Sequence, residues 1–227
     1  MIRKFLLTAA LAFIAALAAP SSSQAALVFS LTINGTTIND GGLGDADGIK
    51  NGTILVAENR VFDGYKFSGF SASSSSPTTD GGTFNIGQGG KITNTINNAG
   101  LLTVTVLSDG FVNPVAGLMV TNTLSNTLFQ GGGVTTGQTT VTPGGISPLV
   151  TLFKKDFGSS SFNTNTPAGL FTMSNVFTLN GLAQGNNYRG SLSSEAIPAP
   201  APAGLILAAL GLPAFGLLRR KFRKVVA

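Results

Sequence analysis

Three aspartates, Asp40, Asp45 and Asp47, stand within eight residues of a glycine-rich stretch, with Asp47-Gly48 giving the sharp turn. Calcium takes roughly six to eight hard oxygen ligands in flexible geometry, so three carboxylates plus loop carbonyls form a candidate calcium site. An EF-hand register begun at Asp47 places Asn51, Gly52 and Glu58 correctly, but Ile49 falls on a ligand position and the flanks read as strands. The same residues also serve as turn formers between two strands, because Asp and Gly both favour turns. Both uses predict a loop here.

Other chemistry is thinner. The chain has neither Cys nor His, which removes thiolate nucleophiles, Cys-ligated metals and the commonest general base. Hydrolysis by paired carboxylates needs no His. Its candidates are Asp40, Asp45, Asp47, Glu58 and Asp63, and spacing selects no pair among them. A serine nucleophile would need a lysine base, and no Ser-x-x-Lys occurs in the body of the chain. Gly87-Gln88-Gly89-Gly90-Lys91 matches a phosphate loop only at its end and continues into Ile92 rather than Ser or Thr. The residues therefore predict a protein that is not an enzyme.

Charge points away from nucleic acid. Of 14 basic groups, Arg3, Lys4, Arg219, Arg220, Lys221, Arg223 and Lys224 are terminal, and the remaining half is outnumbered by all nine acids. The formal charge of +5 thus belongs to the ends, and the interior offers no basic stripe for a nucleic-acid partner.

The ends read as address signals. Residues 1–25 run from Arg3 and Lys4 through an apolar stretch, Phe5 to Ala19, to Pro20, three serines and Gln24. That is signal-peptide order, with cleavage expected between Ala25 and Ala26. At the other end Ala201 to Leu218 is an uncharged run of 18 residues, about 27 Å as a helix, long enough to cross a bilayer core. Arg219, Arg220, Lys221, Arg223 and Lys224 follow at once and would hold that end in the cytoplasm.

The order Ile197-Pro198-Ala199-Pro200, apolar run, basic cluster resembles the tripartite PEP-CTERM sorting signal. It departs from the family's usual Val-Pro-Glu-Pro in having Ala199 where Glu is expected. The resemblance implies an exosortase-like membrane protease as partner and a precursor held in the inner membrane until it is cut near the motif. The body would then reach the cell surface or the exterior of a Gram-negative envelope, in association with extracellular polysaccharide or biofilm matrix. A second stretch, Asn39 to Asp45 followed by Asn51-Gly52-Thr53-Ile54, is similar to an Asp-Gly-Gly-x-Gly-Asp segment found near the start of many such surface proteins.

Between the signals, residues 26–195 are rich in Gly, Ser, Thr and Asn and poor in helix formers. Short β-branched or alternating stretches recur between turn residues, which predicts an all-β antiparallel sandwich of about ten strands. A signal helix would precede it, and a tail of residues 196–227, with its transmembrane helix, would follow. In Leu101 to Leu107 the even positions Leu102, Val104 and Val106 share one face and Thr103 and Thr105 the other. Lys91 to Asn97 reads as an edge strand, and Thr83 to Ile86 as a separate one. Ser71 to Pro77 and Gly158 to Ser161 read as loops. Phe62, Phe67, Phe70, Phe84, Phe171 and Phe177 are expected to fill the core. The function expected is that of a non-enzymatic secreted surface protein, with a carbohydrate- or calcium-binding adhesion module as the alternative.

Overall fold

The computed structural model describes residues 28–75, 83–97 and 99–199. The leader with its Ala25 and Ala26 junction, Pro200, the apolar run and the cluster Arg219 to Lys224 lie outside the described residues.

Among the described residues fourteen strands form two seven-stranded sheets in which every pair is antiparallel. The first sheet contains β1 (Phe29–Ile33), β2 (Thr36–Asn39), β7 (Leu102–Asn113), β9 (Val134–Thr142), β10 (Gly145–Ile146), β11 (Val150–Leu152) and β13 (Gly169–Asn180). Its order is β10-β9-β13-β7-β1-β2, with β11 also on β9. The second contains β3 (Thr53–Leu55), β4 (Val61–Phe62), β5 (Tyr65–Ser74), β6 (Phe84–Asn94), β8 (Leu118–Phe129), β12 (Asp156–Thr164) and β14 (Asn187–Pro198). Its order is β12-β8-β14-β6-β5-β3, with β4 on β5. Two hairpins follow directly from sequence: Asn34-Gly35 and Asp63-Gly64 each take positive φ at both residues, the backbone that matches the twist of paired strands.

Alternation places the core. Leu102, Val104 and Val106 are fully buried while Thr103 and Thr105 turn outward. All six expected phenylalanines are buried, joined by Phe29, Phe111, Tyr65 and Tyr188. They pack edge to face, as in Phe84 on Phe171 at 4.9 Å and Phe67 on Phe70 at 5.0 Å. The core is divided into two apolar clusters. At the inward positions between them stand Asn122, Thr139, Asn175 and Ser194, all buried. Asn175 Oδ1 accepts from Thr139 Oγ1 at 3.0 Å and Ser194 Oγ at 2.7 Å, and Asn175 Nδ2 donates to Ile86 O at 3.2 Å. These bonds satisfy groups that would otherwise be costly to bury.

Several expectations are corrected. The two expected strands, Thr83 to Ile86 and Lys91 to Ile96, merge into one, β6 (Phe84–Asn94), which sits between β14 and β5 rather than at an edge. Its middle, Gly87 to Gly90, has poor strand propensity, but ladders on both sides fix it as strand. Ser71 to Ser74 lies in β5, and Gly158 to Ser161 lies in β12. The body also runs past Glu195. Ala196 is fully buried, Ile197 and Pro198 pair with Met119 and Leu118, and the Ala199 N–H donates to Gly117 O at 3.1 Å. Pro198 is accommodated because β6 has ended by then and β14 is paired on one side only. The first half of the Pro-x-Pro segment is thus the end of a sheet strand.

Candidate functional site

The aspartate loop connects β2 to β3, and its carboxylates are engaged by its own chain. Asp40 accepts from the Asn51 N–H at 3.2 Å and the Gly52 N–H at 2.8 Å. Asp45 is buried and accepts from the Gly41 N–H at 3.0 Å and the Leu55 N–H at 2.9 Å. Asp47 accepts from the Ile49 N–H at 3.0 Å and from Asn51 Nδ2 at 3.1 Å. The bond from the Ile49 N–H holds the Asp47 carboxyl below its ordinary pKa. Glu58 lies elsewhere, accepting from the Gly69 N–H at 2.7 Å. Among the described residues no three acidic side chains are placed to share a metal ion. The geometry is that of an Asx-stapled turn, with each aspartate closing one part of the loop.

Among the described residues a concavity lies on the outer face of the second sheet. Along β6 the outward positions Gly87 and Gly89 carry no side chain, so the strand backbone forms a floor. Register places Ser73, Gly87 and Ser193 in one row and Ser71, Gly89 and Ser191 in the next. Serines on β5 and β14 therefore wall the floor on both sides, about 9.5 Å apart as next-nearest strands. Bulges between Ser68 and Ser71 and between Arg189 and Gly190 bend the flanking strands at one end. There Gly90 is obligatory: a Cβ would stand 2.5 Å from the Phe70 Cα. The trough measures about 470 Å³. A smaller hollow of about 190 Å³, lined by Asn85, Thr121, Thr123 and Glu195 among others, continues it at the opposite end.

The electrostatics are those of a weakly polar face. Lys91 and Arg189 are exposed neighbours in register at one end, and Glu195 is exposed at the other. Between them the side chains of Ser71, Ser73, Ser191 and Ser193 present hydroxyls, each able to donate one hydrogen bond and accept two. Beneath the floor Gln88 points into the core, where its Nε2 donates to Val104 O at 3.3 Å and its Oε1 has no protein partner among the described residues. Tyr188, also inward, donates to Asn126 Oδ1 at 2.9 Å, and burial pushes its phenol pKa upward.

Sequence reasoning meets the trough floor only as the incomplete phosphate-loop match of Gly87 to Lys91 and singles out none of the serines that wall it. The available signal is the alternation Ser71-x-Ser73, Gly87-x-Gly89 and Ser191-x-Ser193, three period-two sets of small residues. What sequence does not give is that these three strands are neighbours.

No family model matches the chain, and no curated protein matches it. Solved structures with a related arrangement include the Clostridium thermocellum endo-1,4-β-D-xylanase modules complexed with xylohexaose, at 7% identity and TM-score 0.28. That match covers 51% of this chain and 22% of that one, so the chain spans about a fifth of the xylanase. A module in complex with β-1,4-galactotriose has 9% identity, TM-score 0.30 and coverage of 61% and 98%. A xylan-binding domain has 11% identity, TM-score 0.30 and coverage of 63% and 91%.

Proposed function

We propose that this chain is an exported, non-catalytic surface protein whose sandwich holds extracellular polysaccharide along the trough over β6. The observation that carries the reading is the trough itself, a glycine floor between two rows of serines on a sheet face. Sugar hydroxyls both donate and accept, and so do serines, so a neutral glycan satisfies the walls without burying a charge. The Gly87 and Gly89 floor lets a ring approach the backbone. Among the described residues no aromatic side chain lines the trough to stack on a ring, so single-site affinity is weak and retention on a polymer comes from repeated contacts. Delivery rests on the two ends: the signal-peptide order of residues 1–25, and a sorting tail cut by an exosortase-like protease near Ala199 and Pro200. Titrating the body with neutral polysaccharides, beside a variant with a filled trough, tests the binding reading.

A further inference from the structure

The outward positions at one end of the trough are cationic. On β6 the outward series Gly87, Gly89 continues to Lys91, and on β14 the series Ser193, Ser191 continues to Arg189. Lys91 and Arg189 are partners in register, with Cβ atoms about 5 Å apart. On β5, Ser68 stands opposite Lys91 and Lys66 opposite Thr93, so Lys66 is the diagonal neighbour of Lys91 at roughly 7–8 Å. Three of the seven cations of residues 26–195 thus come from three adjacent strands to one end of one face. Like charges directly opposite on paired strands destabilise a sheet, and proteins depart from such local rules chiefly at functional positions. The acids do not offset them. Glu195, on the same face, is six residues along β14 from Arg189, about 20 Å away. Glu58 Oε1 accepts from the Gly69 N–H at 2.7 Å, Asp156 Oδ1 accepts from the Phe157 N–H at 2.8 Å, and Asp63 lies in the turn between β4 and β5. Arg189 is bonded through its carbonyl, which accepts from Thr127 Oγ1 at 3.2 Å, and among the described residues its guanidinium has no carboxylate partner.

We infer that Lys91 and Arg189, with Lys66 beside them, form an anion subsite at the end of the trough, and that the glycan held there is an acidic polysaccharide whose sugar carboxylate they receive. The inference rests on the glycan reading of the trough and narrows its substrate class. Arg189 itself lines the trough, together with Gly89, Gly90 and Ser191. Lys91 stands two residues beyond Gly89, about 7 Å along the strand, so a sugar seated over the Gly89 floor brings its carboxyl within reach of both long side chains. The guanidinium offers a planar fork of N–H donors that matches a carboxylate, and the ammonium adds a point charge. Both groups are exposed, so no charge is buried, and the anion offsets the repulsion between the two cations. Glu195 disfavours a carboxylate at the far end. The acidic sugar is therefore placed at the Lys91 and Arg189 end, and uncharged sugars lie against the serines.

The test is isothermal titration of the full chain, in detergent and chelator, with partly methyl-esterified polygalacturonate and with the same polymer fully esterified. The two differ only in free carboxylates. At low salt the acidic form is expected to bind about fivefold or more tightly than the ester, and the gap should close in 1 M salt, where the screening length falls to ~3 Å. Lys91→Gln with Arg189→Gln should bring the acidic form to the affinity of the ester and leave ester binding as in the parent. That variant should melt no lower than the parent, since a like-charge pair is removed. Lys154→Gln with Lys155→Gln removes the same charge outside the trough lining and should keep the preference. Equal affinity of the parent for the two polymers, a preference that survives Lys91→Gln with Arg189→Gln, or an equal loss in the Lys154 and Lys155 variant overturns the inference. Dextran sulfate separates the sources of the anion: tighter binding of it than of the acidic polymer at equal charge overturns the carboxylate assignment. Ester binding that Gly87→Val abolishes, with no preference for the acid, sinks this inference and leaves the trough reading standing. A preference for the acid with no binding of the ester does the reverse.

Discussion

Replacing Asp45 by alanine tests whether the aspartate loop is held by its own backbone. Asp45 is 8% exposed and binds two N–H groups, Gly41 at 3.0 Å and Leu55 at 2.9 Å. Hydrogen bonds to a charged acceptor contribute about 1.5–3 kcal/mol each, and removing the acceptor leaves two partly buried donors. Discounted for solvent reaching the loop, Asp45→Ala should cost about 2–4 kcal/mol. For a domain of this size that lowers the melting temperature by roughly 5–15 °C. Asp45→Asn keeps one acceptor and should lose about half as much, while Asp47→Ala, at a more open position, should lose less. The assay is thermal unfolding followed by circular dichroism, in millimolar calcium and in chelator. Since a ligand bound only to the folded state raises its melting point, the two curves should coincide if the carboxylates serve the loop. A melt of Asp45→Ala within 1 °C of the parent, or a clear rise in calcium, would refute the assignment.

Other consequences follow from buried groups and from the chain's exit. Gln88→Met removes a half-satisfied amide from the core at similar volume, and denaturant unfolding should show it neutral to about 1 kcal/mol more stable. Tyr188 keeps its proton above the ordinary value of 10.0 because it is buried. Below that pH both folded and unfolded chains hold the proton and nothing changes. Above it the unfolded chain alone releases the proton, so stability should fall by up to about 1.4 kcal/mol per pH unit, with Tyr188→Phe showing a shallower alkaline loss. Mass spectrometry of the protein from its native cells should find a C-terminus beyond Ala199 and short of the basic cluster, because the sheet protects the chain through Ala199. A mature end at Ala227 would mean an ordinary membrane anchor.

Much of the fold was legible because alternation is a local property. β7 announces itself by Leu102, Val104 and Val106 at every second place and β13 by Phe171, Met173, Phe177 and Leu179 around one Asn, and the phenylalanines found the core as expected. The failures share one cause. Gly87 to Gly90, Ser71 to Ser74 and Gly158 to Ser161 have loop composition, and only pairing with long neighbours makes them strand. Asn122, Asn175 and Ser194 sit at inward positions whose polar character weakens the pattern, because their partners come from the facing sheet. The aspartate loop was legible as a loop, but which N–H each carboxylate takes depends on the closed turn. The trough was legible only as three period-two sets of small residues, since it is a relation between three strands whose serines lie as far apart in the chain as Ser71 and Ser193.

Isothermal titration of neutral polysaccharides into the parent chain and into Gly87→Val bears most directly on the central claim. A Cβ at Gly87 meets nothing closer than the Ser193 Cβ at 3.6 Å, and φ there is ordinary, so a β-branched side chain fits the strand while filling the floor. The account predicts saturable binding by the parent, with loss of at least tenfold in Gly87→Val and a melting temperature equal to or above the parent's. Equal binding by the two proteins, or no binding by the parent to any neutral polysaccharide, would contradict it.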